Sequence, residues 1–195
     1  MMDKQTEIKR TLNASIAQLY GQAQYTAGKA KLAKLRNSIG KSDLVETYPF
    51  VFEWISEGLL GQGKYLSDEE KAIICTMQLY ALLQQGKSEC VHVQQETYQN
   101  VGTALARLRI QGDSEAIDRR FNSMILSDTE EEFLTHLRYI LQIYKSKDMV
   151  GKLDFAQMGT DIFRYIHWEK GKEEIRLSWS REYYKSFNKG EDDNE

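Results

Sequence analysis

Thr129-Glu130-Glu131-Glu132-Phe133-Leu134-Thr135-His136-Leu137-Arg138-Tyr139-Ile140-Leu141-Gln142-Ile143-Tyr144 is the stretch whose reading decides the fold. Phe133, Leu137, Ile140 and Tyr144 recur at i, i+4, i+7 and i+11, the repeat of a single buried helix face. Thr129 and Glu132 form a capping box, in which each side chain satisfies a free backbone N–H at a helix start. The spacing predicts a helix over 129–144. Working outward, helices are expected over 114–126, after the Gly112-Asp113 break, and over 98–110. Downstream, 154–168 repeats the logic with Phe155, Met158, Ile162 and Ile166, and 173–187 is the last helix.

Further upstream, Ser67 and Glu70 make a second capping box. The helix that follows runs to about residue 84, and its apolar face of Ile73, Ile74, Met77, Tyr80, Ala81 and Leu83 is wide enough for a bundle interior. Residues 3–20 carry Ile8, Leu12, Ile16 and Leu19 at helical spacing. A Lys-rich helix over 27–36 stops at Asn37-Ser38-Ile39-Gly40, and a further helical segment over 48–57 opens beside Pro49. Gly58, Gly61 and Gly63 mark a loop. Residues 85–96 read as irregular, with the β-like patch Cys90-Val91-His92-Val93 inside them. The expectation is an all-α fold, a compact multi-helix bundle of about eight to nine helices. It forms one domain over 1–188, followed by a disordered acidic tail over 189–195.

Composition points the same way. One proline in 195 residues leaves little room for loop-heavy β architectures, whose turns break the chain often. Hydrophobic residues at 41% and charged residues at 28% are a globular balance, not that of a disordered chain. Cys75 and Cys90 make no disulfide framework, and no charged-then-apolar leader precedes the first helix, so a cytoplasmic protein is expected. No apolar run approaches the roughly 20 residues that span a bilayer, so no membrane role is expected.

Enzyme signatures are weak. The glycines at 58, 61 and 63 lack the following Lys-Ser/Thr and the preceding strand of a phosphate loop. His92, His136 and His167 are scattered, and Cys90 with His92 is the nearest approach to metal-ligand spacing. Asp68-Glu69-Glu70 and Glu130-Glu131-Glu132 each occupy the first turn of a helix, where negative charge interacts favourably with the helix dipole. No catalytic residue, metal or cofactor is expected.

The basic residues carry more information. The formal net charge is −3, yet the first 41 residues hold eight Lys and Arg against Asp3 and Glu7, while the segment 189–195 holds four acids against one Lys. Lys29, Lys31, Lys34, Arg36 and Lys41 follow one another without an acid until Asp43, a local positive field. Arg107 and Arg109, then Arg119 and Arg120, then Arg138 form a second group. Arg109 lies at the edge of its helix's apolar stripe, placed to bury its stem and present its guanidinium to phosphate. Lys31-Leu32-Ala33-Lys34-Leu35-Arg36 and Ala104-Leu105-Ala106-Arg107-Leu108-Arg109 share one pattern, x-Leu-Ala-basic-Leu-Arg. Two readings stay open: a nucleic-acid backbone surface, or solvated faces balanced by nearby acidic turns.

The order of motifs narrows this. Gly28-Lys29-Ala30-Lys31-Leu32-Ala33-Lys34-Leu35-Arg36, then Tyr48-Pro49-Phe50, then Val101-Gly102-Thr103-Ala104-Leu105-Ala106-Arg107-Leu108-Arg109 resembles the CasB family, the small subunit of the type I-E CRISPR Cascade surveillance complex. Ser114-Glu115-Ala116-Ile117-Asp118-Arg119-Arg120-Phe121, His136-Leu137-Arg138 and Asp154-Phe155-Ala156-Gln157 continue the resemblance. Ile175-Arg176-Leu177-Ser178-Trp179-Ser180-Arg181-Glu182-Tyr183-Tyr184 completes it, so that it spans about residues 28 to 187.

The resemblance implies a non-catalytic, all-helical subunit that binds nucleic acid without reading its sequence. Its implied partners are the backbone and large subunits of Cascade, a second copy of itself, the guide RNA, and target and non-target DNA, within an antiviral defence complex. The implied role is to stabilise the displaced strand of the R-loop. Carried over by position, the implied contacts are Lys34 and Arg36, Arg107 and Arg109, and Arg119 and Arg120, with Lys29, Lys31 and Arg138 beside them. Arg176 and Arg181 match the last motif, where closure of the bundle is an equal reading. Asn37 and Thr103 stand where the family often has basic residues. The rival expectation is a helical adaptor whose arginines make ion pairs with other subunits and never touch phosphate.

Overall fold

A computed structural model of the chain describes residues 3–94, 99–111, 114–147 and 153–185. Among them are nine α-helices: α1 (Lys4–Gln22), α2 (Thr26–Asn37), α3 (Tyr48–Val51), α4 (Asp68–Gln84), α5 (Val101–Gln111), α6 (Ser114–Ile125), α7 (Glu130–Ser146), α8 (Phe155–His167) and α9 (Glu169–Lys185). The all-α expectation holds. Both capping boxes form: Ser67 with Glu70 opens α4, and Thr129 with Glu132 opens α7. The predicted stripe of α7 is buried throughout, with Phe133, Leu137 and Ile140 fully enclosed.

α4 and α8 form the axis. They pack antiparallel, because Asp68 at the start of α4 meets His167 at the end of α8 while Tyr80 meets the Phe155 ring at the other end. α1 and α2 cover one side of this pair, and α5, α6, α7 and α9 build the other. α8 serves both halves, which is why ten of its thirteen residues are buried. At its centre the Asp161 carboxylate, fully buried, accepts from the Trp179 indole at 2.9 Å and from Gln157 at 3.0 Å, tying α9 to α8. Gly159 lets α1 approach: a β-carbon there would come 2.2 Å from a Leu12 methyl.

Three expectations change. The segment 48–57 is a single turn, α3, followed by a short 3-10 turn at Glu57–Leu59, and not one helix. Tyr48, Phe50, Val51, Phe52 and Trp54 are residue types that lose side-chain freedom in a helix, and packing of Phe50, Val51 and Ile55 into the core decides the conformation. The last helix begins at Glu169, a turn earlier than the expected start at residue 173. Gly171, in its first turn, lets α9 close on α8, since a β-carbon there would lie 2.2 Å from the Arg164 carbonyl oxygen. The β-like patch makes one isolated parallel bridge, His92 to Leu153, with Val93 N–H donating to Leu153 O and Leu153 N–H to Val91 O, both at 3.0 Å. The acidic tail and the start of the helix expected from residue 98 lie outside the described residues.

Candidate nucleic-acid interface

α2 carries the first basic run, and its helical turn divides that run in two. Gly28, Leu32 and Leu35 face the core. At about 100° per residue, Lys29 and Arg36 flank this stripe on one side and Lys31 and Lys34 on the other. The single positive field expected from the linear sequence is therefore two flanks. Lys31 is also partly committed, its ammonium lying 5.4 Å from the Trp54 ring centre and 5.8 Å from that of Phe50. Lys29 and Lys34 are exposed.

On the Arg36 flank other elements add charge. The Lys145 ammonium, near the end of α7, donates to the Leu82 carbonyl at 2.8 Å and to Gln85 Oε1 at 3.1 Å, capping the end of α4. Burial, then the neighbouring positive charges of Arg36 and Lys87, hold the Lys145 pKa below its ordinary value. Arg138 lies seven residues earlier on the same face of α7. A β-carbon on Gly40 would sit 3.5 Å from its Nη1, which brings the turn after α2 against α7. Lys41 and Arg138 both line a groove of ≈ 420 Å³ whose walls include Ile74, Leu134 and Ile162. Arg138 Nε is buried there with no hydrogen-bond partner. Across the groove Lys71 is paired with Glu130 at 3.1 Å and Asp68 at 3.8 Å, and Glu131 lines the same wall, so that rim is net negative.

Packing of α2 and α7 on α4 thus gathers Arg36, Lys41, Lys87, Arg138 and Lys145. Among the described residues no carboxylate pairs with Arg36, Arg138 or Lys145. Lys87 and Lys145 lie outside both basic groups of the linear sequence. Neither lies in a motif, and no local signal marks it.

The second basic group is dispersed. Arg107 is exposed and shares a small hollow with Asn100, Thr103 and Asp154 at the start of α8. Arg109 departs from the expectation that its guanidinium is presented outward. Its Nε and Nη2 donate to the two carboxylate oxygens of Asp118 at 2.6 and 3.0 Å, and only 16% of its side chain is exposed. The guanidinium also lies 5.7 and 5.3 Å from the Tyr183 and Tyr184 ring centres. Asp118, one turn into α6, outcompetes solvent because the pair is bidentate and walled by rings. Burial alone would raise the Asp118 pKa; the hydrogen bonds from Arg109 and Tyr183 outweigh it and hold the carboxyl below its usual range. Arg119 makes an exposed i,i+4 pair with Glu115 at 2.7 Å. Arg120 is exposed and pairs with no carboxylate among the described residues. In the last motif, Arg176 donates to the Ser127 carbonyl and lies over the Tyr165 ring, which makes it a tie between α9 and the turn before α7.

The histidines and cysteines are absorbed by the fold. His92 Nε2 meets Asn13 Oδ1 at 2.9 Å and its Nδ1 accepts from Phe155 N–H at 3.2 Å, with burial lowering its pKa. Burial pushes the Cys75 thiol up to about 12, far from a reactive thiolate. No group of three or more His, Cys, Asp or Glu among the described residues could hold a metal ion. No helix of the described residues is long and apolar enough to cross a membrane.

An all-helical bundle that gathers cations on one face and ties arginines into ion pairs on another defines a class of helical proteins with a basic face, and comparison supplies the family. The model of the CRISPR-associated protein Cse2 matches residues 31–184. The chain therefore belongs to the Cse2 family, also called CasB, of CRISPR Cascade small subunits. CasB from Thermobifida fusca is similar in structure, with a TM-score of 0.71 at 19% identity, covering 91% of this chain and 98% of that one. CasB from M. ruber gives a TM-score of 0.68 at 18% identity over 93% and 98%. A Cse2-family CRISPR-associated protein from Thermus thermophilus gives 0.62 at 21% over 89% and 97%. At these identities the likeness is one of fold. No curated protein sequence matches the chain.

Proposed function

We propose that this protein is a non-catalytic subunit of a type I-E Cascade complex that stabilises the R-loop through sequence-independent contacts to nucleic-acid backbone. The supporting observation is that the fold brings Arg36, Lys41, Arg138 and Lys145 to one side of the bundle, where no carboxylate among the described residues pairs with Arg36, Arg138 or Lys145; after burial, the charges of Arg36 and Lys87 add to the lowering of the Lys145 pKa. Like charges held together cost the free protein energy, and a bound phosphate turns that cost into attraction. Arg36, Lys41, Arg138 and Arg120 are the direct contacts in this reading, with Lys29 and Lys34 on the flanks of α2 and Arg107 and Arg119 more peripheral. Lys31 and Arg109 act by holding their elements in place.

Binding of this kind releases counterions, so affinity falls steeply with salt. In a reconstituted complex titrated with an R-loop substrate, Arg36→Gln and Arg138→Gln are each expected to lower the salt slope by about 1. A slope unchanged in the double variant would reject the assigned surface. The adaptor reading is favoured by a different observation, the exposure of Ile110, Leu126 and Leu177, apolar side chains suited to protein contact. It predicts that Leu126→Ser and Leu177→Ser prevent assembly, while the purified protein shows no salt-dependent nucleic-acid binding.

A further inference from the structure

The aromatic side chains of this protein are mostly engaged with one another. Phe121 stacks on Tyr183 at 3.8 Å between ring centres, Phe133 on Tyr165 at 3.8 Å, and Tyr80 meets Phe155 edge-on at 5.4 Å. Tyr139 on α7 differs. It is 47% exposed, and among the described residues its ring meets no other ring or cation and its hydroxyl makes no hydrogen bond. Tyr25 and Tyr65 are exposed as well, and Tyr139 is set apart by the hollow it shares with an arginine.

The surroundings say what that is. Tyr139 lines a shallow hollow of ≈ 290 Å³ together with Gln142, Ile143 and Ser146 of α7 and Arg120 of α6. Ile143 supplies an apolar floor and Gln142 an amide at the side. Arg120, the unpaired cation of α6, stands on one flank. Arg138, the residue before Tyr139, lies about a quarter turn away and points to the Gly40 side. An exposed aromatic face in a shallow hollow with one guanidinium group at its flank is an arrangement that can hold a stacked base and its neighbouring phosphate without reading sequence. A duplex cannot use it, because its bases are already stacked and paired.

We infer that the hollow between α6 and α7 is a base-stacking subsite for single-stranded nucleic acid, with Tyr139 as the platform and Arg120 as the phosphate contact. This rests on the proposed nucleic-acid role and deepens it, since it assigns the unpaired strand to a defined place. A stack uses the face of the base and not the sugar, so DNA and RNA strands are held alike.

The test is to titrate the full chain with single-stranded DNA and RNA oligonucleotides carrying 2-aminopurine, and with the matching duplex DNA, over a salt series. Tyr139→Ala is expected to weaken binding of both single strands roughly tenfold, within the range a single base–aromatic stack contributes. It should also remove the quenching of 2-aminopurine, leave the salt slope as it was, and leave duplex binding unaltered. Tyr139→Phe should restore both affinity and quenching, whereas Arg120→Gln should lower the slope by about 1. Because Tyr139 is exposed, the thermal transition of its variants should match that of the parent chain. Unchanged single-strand affinity and quenching in Tyr139→Ala, with the parent chain still binding, would overturn the subsite alone. A parent chain that binds no nucleic acid at any salt concentration would overturn the functional proposal and the subsite together.

Discussion

The two copies of x-Leu-Ala-basic-Leu-Arg, one closing α2 and one closing α5, have the same local design and opposite electrostatic fates. In each copy both leucines are buried: Leu32 and Leu35 in the first, Leu105 and Leu108 in the second. In each a glycine upstream allows a backbone carbonyl to come close, Gln22 O against Gly28 and Trp179 O against Gly102. The terminal arginines then diverge. Arg36 meets the like charge of Lys145, while Arg109 is neutralised by Asp118 and enclosed by Tyr183 and Tyr184. A motif of this length specifies which face of a helix packs. Its neighbours decide whether its charge is presented or consumed.

The largest effect expected from breaking this comparison is at the glycines. A β-carbon on Gly102 would lie 2.1 Å from the Trp179 carbonyl oxygen, so Gly102→Ala must push α9 off α5. It should cost about 3 kcal/mol of stability, the upper end of overpacking penalties, read from the midpoint of urea unfolding. Gly28→Ala meets Gln22 O at 2.0 Å, but the connection between α1 and α2 can shift without moving a core helix, so about 1 kcal/mol is expected. An equal cost at the two sites would show that the elements are built alike beyond their sequence.

Next come the arginines. Arg109→Ala leaves Asp118 without its bidentate partner and should cost about 2 kcal/mol, a figure typical of hydrogen bonds to charged groups. Arg36→Ala should change stability by no more than about 0.5 kcal/mol, because no ion pair is lost. The nucleic-acid salt slope should respond in the reverse order. A stability loss at Arg36 equal to that at Arg109 would erase the distinction drawn between the two copies.

The smallest effect is a pH dependence. The folded-state pKa of Asp118 is held below its ordinary value, so the stability it contributes is present above the unfolded value of about 3.9 and is lost as pH falls through the lower folded value. Asp118→Asn should therefore be less stable than the parent at neutral pH, and the gap should narrow in acid below about pH 4. Thermal melts across that window check the sign, and a gap that widens in acid would contradict the assignment.

Much of the fold could be read in the chain because its signals are local. Ser67 with Glu70 and Thr129 with Glu132 announce α4 and α7, and the stripes of α1, α7 and α8 are unbroken. The errors came where packing overrode local preference. The last helix starts a turn before residue 173, with Gly171 allowing close approach to Arg164, and the aromatic run 48–57 reads as a helix but folds as turns against the core. For the site, Arg36, Arg120 and Arg138 could be singled out as cations within motifs. Lys87, Lys145 and Tyr139 could not, because a lone lysine or tyrosine on a polar helix face carries no periodic signal.

Helix number, helix caps, the buried stripes and the family motifs all follow from residues within a few turns of one another, so the linear chain carries them in full. Whether a given cation is free depends on which groups the packing of separate helices brings to it. Nine residues separate Arg109 from the Asp118 that neutralises it, and more than a hundred separate Arg36 from the Lys145 that crowds it. Charge acts through space over several ångströms, and only the packed arrangement of α2, α4 and α7 sets those distances.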